Sequence, residues 1–278
     1  FEVWPELALA LGAVLVLGLE LFRSKELGRR SFAGPIAIFF QACLLVFHLI
    51  DYLIWHHPFD HETFSGLLNQ SSRGEVMRSF FLLASLLVSI LGENYLRRRK
   101  LIGGEFHHLT MLASAGLMLL VQRNHFLMLF VALETVAICF YILVAYQRDS
   151  VKSLEAGLKY LVFGALSSSL LLFGIVLLYG VASNPEAWGC ISPGIGLDDP
   201  LEFGYLSYFL EANSDNLILR AGVILIISGI AFKIGAAPFQ IWVPDVYHGS
   251  PMPVSSFLAV SSKGAFFFVL LNHNKLKQ

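Results

Sequence analysis

Residues 217–236 read Leu-Ile-Leu-Arg-Ala-Gly-Val-Ile-Leu-Ile-Ile-Ser-Gly-Ile-Ala-Phe-Lys-Ile-Gly-Ala and contain only two charged residues, Arg220 and Lys233. A helix needs roughly 20 predominantly apolar residues to cross the hydrocarbon core of a bilayer. In residues 217–236 the apolar residues lie on all sides of the predicted helix. On a surface helix of a soluble protein they would lie on one face only. This stretch therefore predicts a transmembrane helix.

Seven further apolar blocks have the same character. They are Pro5–Phe22, Gly34–Trp55, Phe80–Tyr95, Leu109–Val121, Phe126–Tyr146, Leu158–Val181 and Val254–Leu271. We predict no strands in these blocks, because alternation is absent and lipid admits only helices or closed barrels. The fourth block is short, and with the fifth it predicts a hairpin whose turn is Gln122–His125. The sequence predicts an all-α integral membrane protein with about eight transmembrane helices.

Composition supports this prediction and excludes other classes. Hydrophobic residues make up 56% of the chain and charged residues 14%, and the mean hydropathy is +0.68. Soluble domains carry about 25% charged residues. A net charge of −1 without a basic stripe argues against nucleic-acid binding. The sequence has no phosphate loop, dinucleotide fingerprint, paired-cysteine motif or nucleophile elbow. Cys43, Cys139 and Cys190 are far apart and have no metal-binding spacing, and we interpret Cys43 and Cys139, which lie in apolar blocks, as small hydrophobic residues.

Lysine and arginine are distributed unequally between the two sets of loops. With the N-terminus outside, the inner loops hold ten cations, namely Arg23, Lys25, Arg29, Arg30, Arg97, Arg98, Arg99, Lys100, Arg148 and Lys152. The outer loops hold three, namely Arg73, Arg78 and Arg123. The outer segment Asn184–Asn216 has none and is acidic, and Ala182–Leu201 within it reads as a linker. The positive-inside rule therefore predicts that the N-terminus is outside.

Three ionisable residues lie deep inside predicted spans: Glu134 in the fifth, Lys233 in the seventh and Lys263 in the eighth. Each costs roughly 2.5–3.5 kcal/mol at the bilayer centre on insertion scales, and such residues usually pair with one another and mark an ion path. We expect Glu134 and Lys233 to lie within direct or one-water reach, with Lys263 further along the same polar axis. The alternative is a buried ion pair that only locks two helices together.

The seventh span should be broken just after Lys233. Gly235 and Pro238 follow it, and the proline ring would crowd the carbonyl of Ile234. Broken helices at membrane depth line protein or water and are typical of ion sites. The alternative is a simple kink or helix end. The polar run Pro244–Val254 predicts a tight turn into the eighth span.

Other charged residues carry weaker predictions. Lys159 lies four residues after Glu155, so it could belong to a proton path or form a plain interfacial pair. Glu20, Asp51 and Glu93 lie at span ends and are expected at the membrane interface. The outer cluster consists of His56, His57, Asp60, His61 and Glu62. It could bind a metal by residue type, but its place in a loop argues against a site.

These residues carry a family resemblance. The chain resembles the N-subunit (chain 2) family of proton-pumping NADH:quinone oxidoreductase, respiratory complex I, and more broadly its antiporter-like subunits. The match covers most of the chain and is densest in Phe130–Tyr146, Ser153–Gly174 and Ala231–Leu258. The last of these reads Ala-Phe-Lys-Ile-Gly-Ala-Ala-Pro-Phe-Gln-Ile-Trp-Val-Pro-Asp-Val-Tyr-His-Gly-Ser-Pro-Met-Pro-Val-Ser-Ser-Phe-Leu and is highly specific to the family.

The resemblance implies roles for four residues. Glu134 corresponds to the acid of the fifth helix, Lys233 to the lysine of the broken seventh, Lys263 to that of the eighth and Lys159 to that of the sixth. Gln240 stands where the family usually has His, and this departure from the family pattern argues against a relay role at position 240. The family has about fourteen helices, so we expect residues 1–106 to form a three-helix segment and 107–278 one antiporter-like repeat. The second repeat, with its twelfth-helix lysine, is absent, as in a fragment or a split subunit.

The resemblance also implies a setting. It implies a proton-translocating subunit of complex I without cofactors of its own, driven by quinone reduction elsewhere. FMN, iron–sulfur clusters and quinone are expected in partner subunits, and other membrane subunits, including antiporter-like ones, and the lipid bilayer are the expected partners. The expected location is a bacterial plasma membrane, or the mitochondrial inner membrane. The alternatives are a subunit of a multi-subunit cation/proton antiporter and a structural membrane scaffold.

Overall fold

The structure is a computed structural model that describes residues 3–23, 33–54, 61–64, 66–99, 101, 103–191 and 199–273. Within these ranges it describes only the backbone of residues 22–23, 61–63 and 269–273. The helices in chain order are α1 Trp4–Arg23, α2 Ala33–Ile54, α3 Ser72–Arg99, α4 Gly104–Gln122, α5 Phe126–Val144, α6 Val151–Ala182, α7 Phe203–Ala212, α8 Leu217–Ile234, α9 Trp242–Gly249, α10 Met252–Phe257 and α11 Lys263–His273. A 3₁₀ turn, Pro185–Trp188, follows α6.

The eight predicted spans all appear as helices, and the protein is an all-α integral membrane protein. Six helices of the described part are long and apolar enough to cross a membrane: α1, α2, α3, α5, α6 and α8. The fourth span is α4, and the eighth is built from α10, a π-helical segment Leu258–Ser262 and α11. The predicted hairpin is confirmed, because α4 ends at Gln122 and α5 begins at Phe126.

The third span is longer at both ends than its apolar block. It begins at Ser72 and ends at Arg99, whereas the block ran from Phe80 to Tyr95. Arg73 and Arg78, which the sequence placed in an outer loop, therefore lie in α3. At the other end the arginines of the last turn complement the negative end of the helix dipole. Charged turns extend a helix beyond the hydrocarbon, which hydropathy alone does not detect.

Two helices occupy segments that the sequence assigned to a turn and to the outer segment Asn184–Asn216. The expected turn Pro244–Val254 is instead mostly α9, whose third residue is Pro244. Proline is tolerated in a first turn because its missing N–H would lack an intrahelical partner anyway. After the expected linker, α7 buries Phe203, Tyr205, Leu206 and Phe209. Their spacing along one face was a signal available in the sequence.

The loops near the α4–α5 turn are connected by two isolated backbone bridges, Leu68–Arg123 and His125–Glu202. Strands β1, His61–Thr63, and β2, Leu68–Gln70, form an antiparallel hairpin. His125 Nε2 lies 3.1 Å from Asp199 Oδ1. Partial burial would raise the pKa of Asp199, but hydrogen bonds from the Leu201 amide and His125 offset it, so this pKa lies below its usual value.

Small residues bring α6 and α8 into close contact. A Cβ at Gly174 would lie 2.7 Å from the carbonyl oxygen of Gly222, and one at Gly229 would lie 2.9 Å from that of Ser167. Ser167 Oγ donates a hydrogen bond to Gly229 O, 2.8 Å away. Membrane helices associate through such close backbone approach, because lipid supplies no hydrophobic drive between them. α5 and α9 also pack on α6, so α6 organises this half of the molecule.

Candidate functional site

The structure brings Glu134 and Lys233 together. Lys233 Nζ donates a hydrogen bond to Glu134 Oε1 at 2.8 Å, joining α5 to α8. The Lys233 side chain is 8% exposed and that of Glu134 is 26% exposed. The expected direct contact is therefore confirmed. One oxygen of the carboxylate carries the ion pair, and the pair is more open on the glutamate side.

Ser168 is a third member of this site that sequence reasoning missed. Its hydroxyl donates to the same oxygen of Glu134, at 2.5 Å. Ser168 lies in α6, between Ser167, which holds α8, and Ser169, which bonds the carbonyl of Ala165 in its own helix. Three consecutive serines inside an apolar span were the available signal. The carboxylate thus receives hydrogen bonds from both α6 and α8.

The break after Lys233 is present, but its cause differs from the predicted one. Helix α8 ends at Ile234, and Gly235 takes a left-handed conformation with φ 72°. The amide of Ala236 bonds the carbonyl of Ala231, which closes the helix end. Pro238 lies beyond this cap in non-helical chain and does not clash with a preceding turn. Lys233 therefore occupies the last turn, where the helix dipole favours a cation.

The chain after the break folds back against the helix end. Trp242 Nε1, in the first turn of α9, donates to the carbonyl of Phe232 at 2.9 Å. Trp242 is almost fully buried and its ring packs near that of Tyr160 on α6. The broken segment is thus a fixed part of the fold, with a carbonyl of the last helical turn satisfied by a side chain.

A small cavity lies beside the ion pair. It is lined by residues of α4, α5, α6, α8, α9 and the eighth span, among them Tyr141, Tyr160, Lys233, Trp242 and Ser262. Its volume open to water-sized spheres is about 30 Å³, and a buried water needs about 10–15 Å³ of such space. The cavity can hold water between Lys233 and the turn that precedes Lys263.

Lys263 does not join the pair directly. Its ammonium lies 5.4 Å from the centroid of the Tyr247 ring, on α9. No hydrogen bond or ion pair between Lys263 and Glu134 or Lys233 occurs among the described residues. Lys263 is the first residue after the π-helical segment Leu258–Ser262, a feature that the sequence did not predict. Such segments are rare and are frequent at functional sites.

Lys159 forms the predicted pair and one more. Its Nζ lies 2.8 Å from Glu155 Oε1, as the spacing indicated, and 2.6 Å from Asp245 Oδ2 on α9. The side chain is 39% exposed, so the contact is worth little in stability. Asp245 was missed because its segment was interpreted as a turn. The contact links α6 to the broken segment.

Other charged residues take varied positions. Glu93 is paired with Arg97 and with buried His107. The cluster of His56, His57, Asp60, His61 and Glu62, where the sequence argued against a metal site, lies outside the described side chains. The described residues hold no group of three or more potential metal ligands.

A family model described as NADH:quinone oxidoreductase/Mrp antiporter, transmembrane, matches residues 123–277. The NADH-quinone oxidoreductase subunit N 1 of Opitutus terrae is 51% identical over 271 residues, covering 96% of this chain and 51% of the relative. The subunit N of Methylovorus glucosotrophus is 34% identical over 271 residues, covering 97% and 52%. The chain spans about half the length of the curated relatives that it matches.

Two solved structures share the fold. Respiratory complex I from Thermus thermophilus with bound aureothin matches with a TM-score of 0.68 at 27% identity, over 96% of this chain and 52% of that chain. An archaeal respiratory membrane complex, the membrane-bound sulfane sulfur reductase, matches with a TM-score of 0.74 at 22% identity, over 99% and 53%. The second likeness concerns the fold alone.

Proposed function

Because the chain belongs to the NADH:quinone oxidoreductase/Mrp antiporter family, we propose that it translocates protons as a membrane-arm subunit of NADH:quinone oxidoreductase. The observation that carries this proposal is the Glu134–Lys233 contact of 2.8 Å at a helix break. A cavity large enough for water opens from it toward the residue preceding Lys263. Acid, lysine, water and a second lysine follow one another in the order that a proton relay needs.

The chemistry rests on the two states of the pair. Burial disfavours a charged lysine or carboxylate, and pairing favours it. While the pair is closed, Lys233 keeps its proton; when the pair opens, the isolated ammonium is unfavourable and passes its proton to water in the cavity. Lys263 receives it, and Tyr247 lies beside Lys263 as a π-face that stabilises the cation. Ser168 holds the carboxylate in place during the change.

The free energy of breaking the Glu134–Lys233 pair is comparable with the work of moving one proton across the membrane. A proton crossing roughly 200 mV gains or costs about 4–5 kcal/mol. Breaking a buried charge pair by removing one partner costs about 3–5 kcal/mol. Opening and closing one such pair is therefore comparable with the work of moving one proton. A pair that was fully dry would be too costly to open, and the partial exposure of Glu134 avoids this.

The wider setting follows from the proposal. Residues 107–278 form one antiporter-like repeat, and 1–106 form an N-terminal three-helix segment. The redox groups, namely FMN, iron–sulfur clusters and quinone, lie in partner subunits, and quinone reduction there drives the change at Glu134–Lys233. Other membrane subunits, including antiporter-like ones, and the lipid bilayer are the partners. The protein lies in a bacterial plasma membrane with its N-terminus outside.

The test compares Glu134→Gln with Thr135→Val in the assembled native complex. Thr135 is the next residue of α5, and its hydroxyl only bonds the carbonyl of Val131, so it is a matched control. We expect Glu134→Gln to retain assembly and NADH oxidation and to lose most proton pumping per assembled complex, while Thr135→Val pumps normally.

Three outcomes would contradict the proposal. Unchanged pumping per assembled complex with Glu134→Gln would leave the pair as a lock between α5 and α8. Dependence of transport on Na⁺ or K⁺ without NADH oxidation would make the chain a cation/proton antiporter subunit. Loss of assembly alone, with normal pumping by the remaining complex, would indicate a structural scaffold.

A further inference from the structure

A second set of buried polar side chains crosses the molecule between α2, α3 and α4. Its members are fully or almost fully buried, and they lie away from Glu134 and Lys233. They are Gln41 and His48 of α2, Ser85 and Ser89 of α3, and His107 and Ser114 of α4. None of them was singled out by the sequence. All except His107, which lies two residues before the fourth block, lie inside the apolar blocks.

The outer end of this set is a charged cluster. Arg78 of α3 donates to both carboxylate oxygens of Glu6 on α1, at 2.7 and 2.8 Å, and also to Glu75. Gln122, at the end of α4, donates to Glu6 at 2.7 Å. His48 Nε2 lies 3.7 Å from Glu75 Oε2, beyond hydrogen-bond distance. His48 therefore lies beside a bonded group of two carboxylates and one guanidinium.

The inner end is a second pair of titratable groups. Glu93 of α3 lies 3.1 Å from Nε2 of fully buried His107 on α4. Glu93 also bonds exposed Arg97 one turn later, which leads toward the aqueous side. Gly34, at the start of α2, lies against both groups, because a Cβ there would collide with the Glu93 carboxylate and meet His107 Nε2. The three helices therefore converge at this end as well.

Midway between the two charged ends, helical spacing places one polar residue of each helix at the same depth in the membrane. Gln41 lies seven residues from both Gly34 and His48, Ser85 lies seven from Arg78, and Ser114 lies seven from His107. Residues seven apart share a helix face to within about 20°. Gln41, Ser85 and Ser114 therefore lie on the same helix faces as the residues that form the charged groups at the two ends. Arg78 to Glu93 and His107 to Gln122 both rise by about 22 Å, which is most of a hydrocarbon core of about 30 Å.

The intervening polar groups have no hydrogen-bond partner within the described part of the protein. This holds for both amide atoms of Gln41, both ring nitrogens of His48, and the hydroxyls of Ser85, Ser89 and Ser114. Elsewhere in the chain, buried or lipid-facing hydroxyls such as Thr110, Thr135, Ser169 and Ser228 bond the carbonyl four residues earlier. Buried polar groups are almost always satisfied, and ordered water satisfies those that protein atoms do not.

This set is separate from the Glu134–Lys233 site. Gly116 of α4 faces α5, because a Cβ there would lie 2.8 Å from Val136. Ser114 is two residues away, about 200° around the helix, so it lies on the opposite side of α4. The helix α4 therefore stands between the two polar regions.

We propose that α2, α3 and α4 enclose a column of internal water that carries protons between the Glu93–His107 pair and the Glu6–Arg78–Glu75–His48 cluster. A proton taken up at His107 or Glu93 passes along water held by the serines and Gln41 to His48, and each hop releases the proton that the next group receives. This route does not depend on the one through Lys233.

The first test asks whether the column is wet. In a chain whose Cys43, Cys139 and Cys190 are replaced by alanine, Ser85→Cys and Ser114→Cys are exposed to 2-aminoethyl methanethiosulfonate in membrane vesicles. Leu87→Cys, on the lipid-facing side of α3 between Ser85 and Ser89, is the matched control. We expect both serine positions to be labelled and Leu87→Cys to remain unlabelled. Labelling of the serine positions no faster than that of Leu87→Cys would overturn the proposal.

The second test asks whether the column conducts. Proton flux driven by a K⁺ diffusion potential is measured in proteoliposomes that contain the native complex, with and without Glu134→Gln. Gln41→Leu should cut the flux that remains in Glu134→Gln on the order of tenfold, because an apolar plug breaks a water chain. Phe39→Leu, on the lipid side of α2, should not. No remaining flux, or a flux that Gln41→Leu leaves unchanged, would mean that the column holds water but passes no protons.

If Glu134→Gln has no effect on pumping, the function proposed for the Lys233 site is wrong, but the proposed water column between α2, α3 and α4 is not affected. Gln41→Leu then tests the column in the otherwise native protein, where its effect on the driven flux must still be seen. The two routes therefore stand or fall separately.

Discussion

At the scale of the residue, the site consists of one acid, one lysine and a serine that sequence reasoning did not select. Glu134 Oε1 accepts hydrogen bonds from both Lys233 and Ser168. The carboxylate therefore has two neighbours of unequal character, a cationic donor and a neutral donor. This asymmetry makes removal of the acid and removal of the lysine different experiments, although both break the same pair.

Lys233→Met should destabilise the folded protein more than Glu134→Gln does. The methionine leaves a carboxylate without its cation at a partly buried site, and the loss approaches the roughly 3–5 kcal/mol of a broken buried pair. The glutamine still offers an oxygen to Lys233 and leaves a smaller deficit. Thermal unfolding of the purified complex measures this order, and adding Glu134→Gln to Lys233→Met should raise the melting temperature again. If the double variant is no more stable than Lys233→Met, the two residues are not coupled.

At the scale of the element, the break in the seventh span is made by one glycine and is held by the helix that follows. Gly235 has φ 72°, and a Cβ there would lie 2.5 Å from Val243. Helix α9 places Asp245 against Lys159 and Trp242 against the end of α8. The eighth span has its own irregularity, the π-helical segment before Lys263. Both lysines of the proposed route thus adjoin a departure from regular helix.

Gly235→Ala should lower the stability of the complex, whereas Pro238→Ala should have a smaller effect. A left-handed conformation costs a non-glycine residue roughly 1–2 kcal/mol, and the contact with Val243 adds to this. Pro238 is outside the helix, so its removal restores no helical hydrogen bond. Melting temperatures of the two variants distinguish these causes. A larger loss with Pro238→Ala would show that the proline, as the sequence first indicated, makes the break.

At the scale of the whole molecule, α4 separates two polar regions that both run between helices. One lies against α5, α6 and α8, and the other lies between α2, α3 and α4. The same helix packs against α1, α3 and α5, and most of its residues are buried. If both regions carry protons, their directions depend on which membrane face each end meets. The orientation of the chain is therefore the property that assigns inlet and outlet.

With the N-terminus outside, an impermeant maleimide should reach Asp215→Cys in right-side-out vesicles and Arg98→Cys only in inverted ones. Asp215 is fully exposed in the acidic outer segment, and Arg98 is exposed at the far end of α3. The three native cysteines are replaced by alanine in both variants so that only the new thiol reacts. Labelling with the sides exchanged would reverse the orientation and, with it, the inlet and outlet of each route.

Local features of the sequence were enough to predict the helical membrane fold, the hairpin at Gln122–His125 and the contact between Glu134 and Lys233. These follow from local quantities, namely the length of an apolar run and the cost of one charge in it. Only the tertiary structure brought together Glu6 and Arg78, 72 residues apart, or gave Ser168 and Asp245 their partners. A serine or a glutamine in a span looks the same whether it faces lipid, a neighbour or water. Its meaning depends on helix rotation and packing, which are set by contacts between residues far apart in the chain.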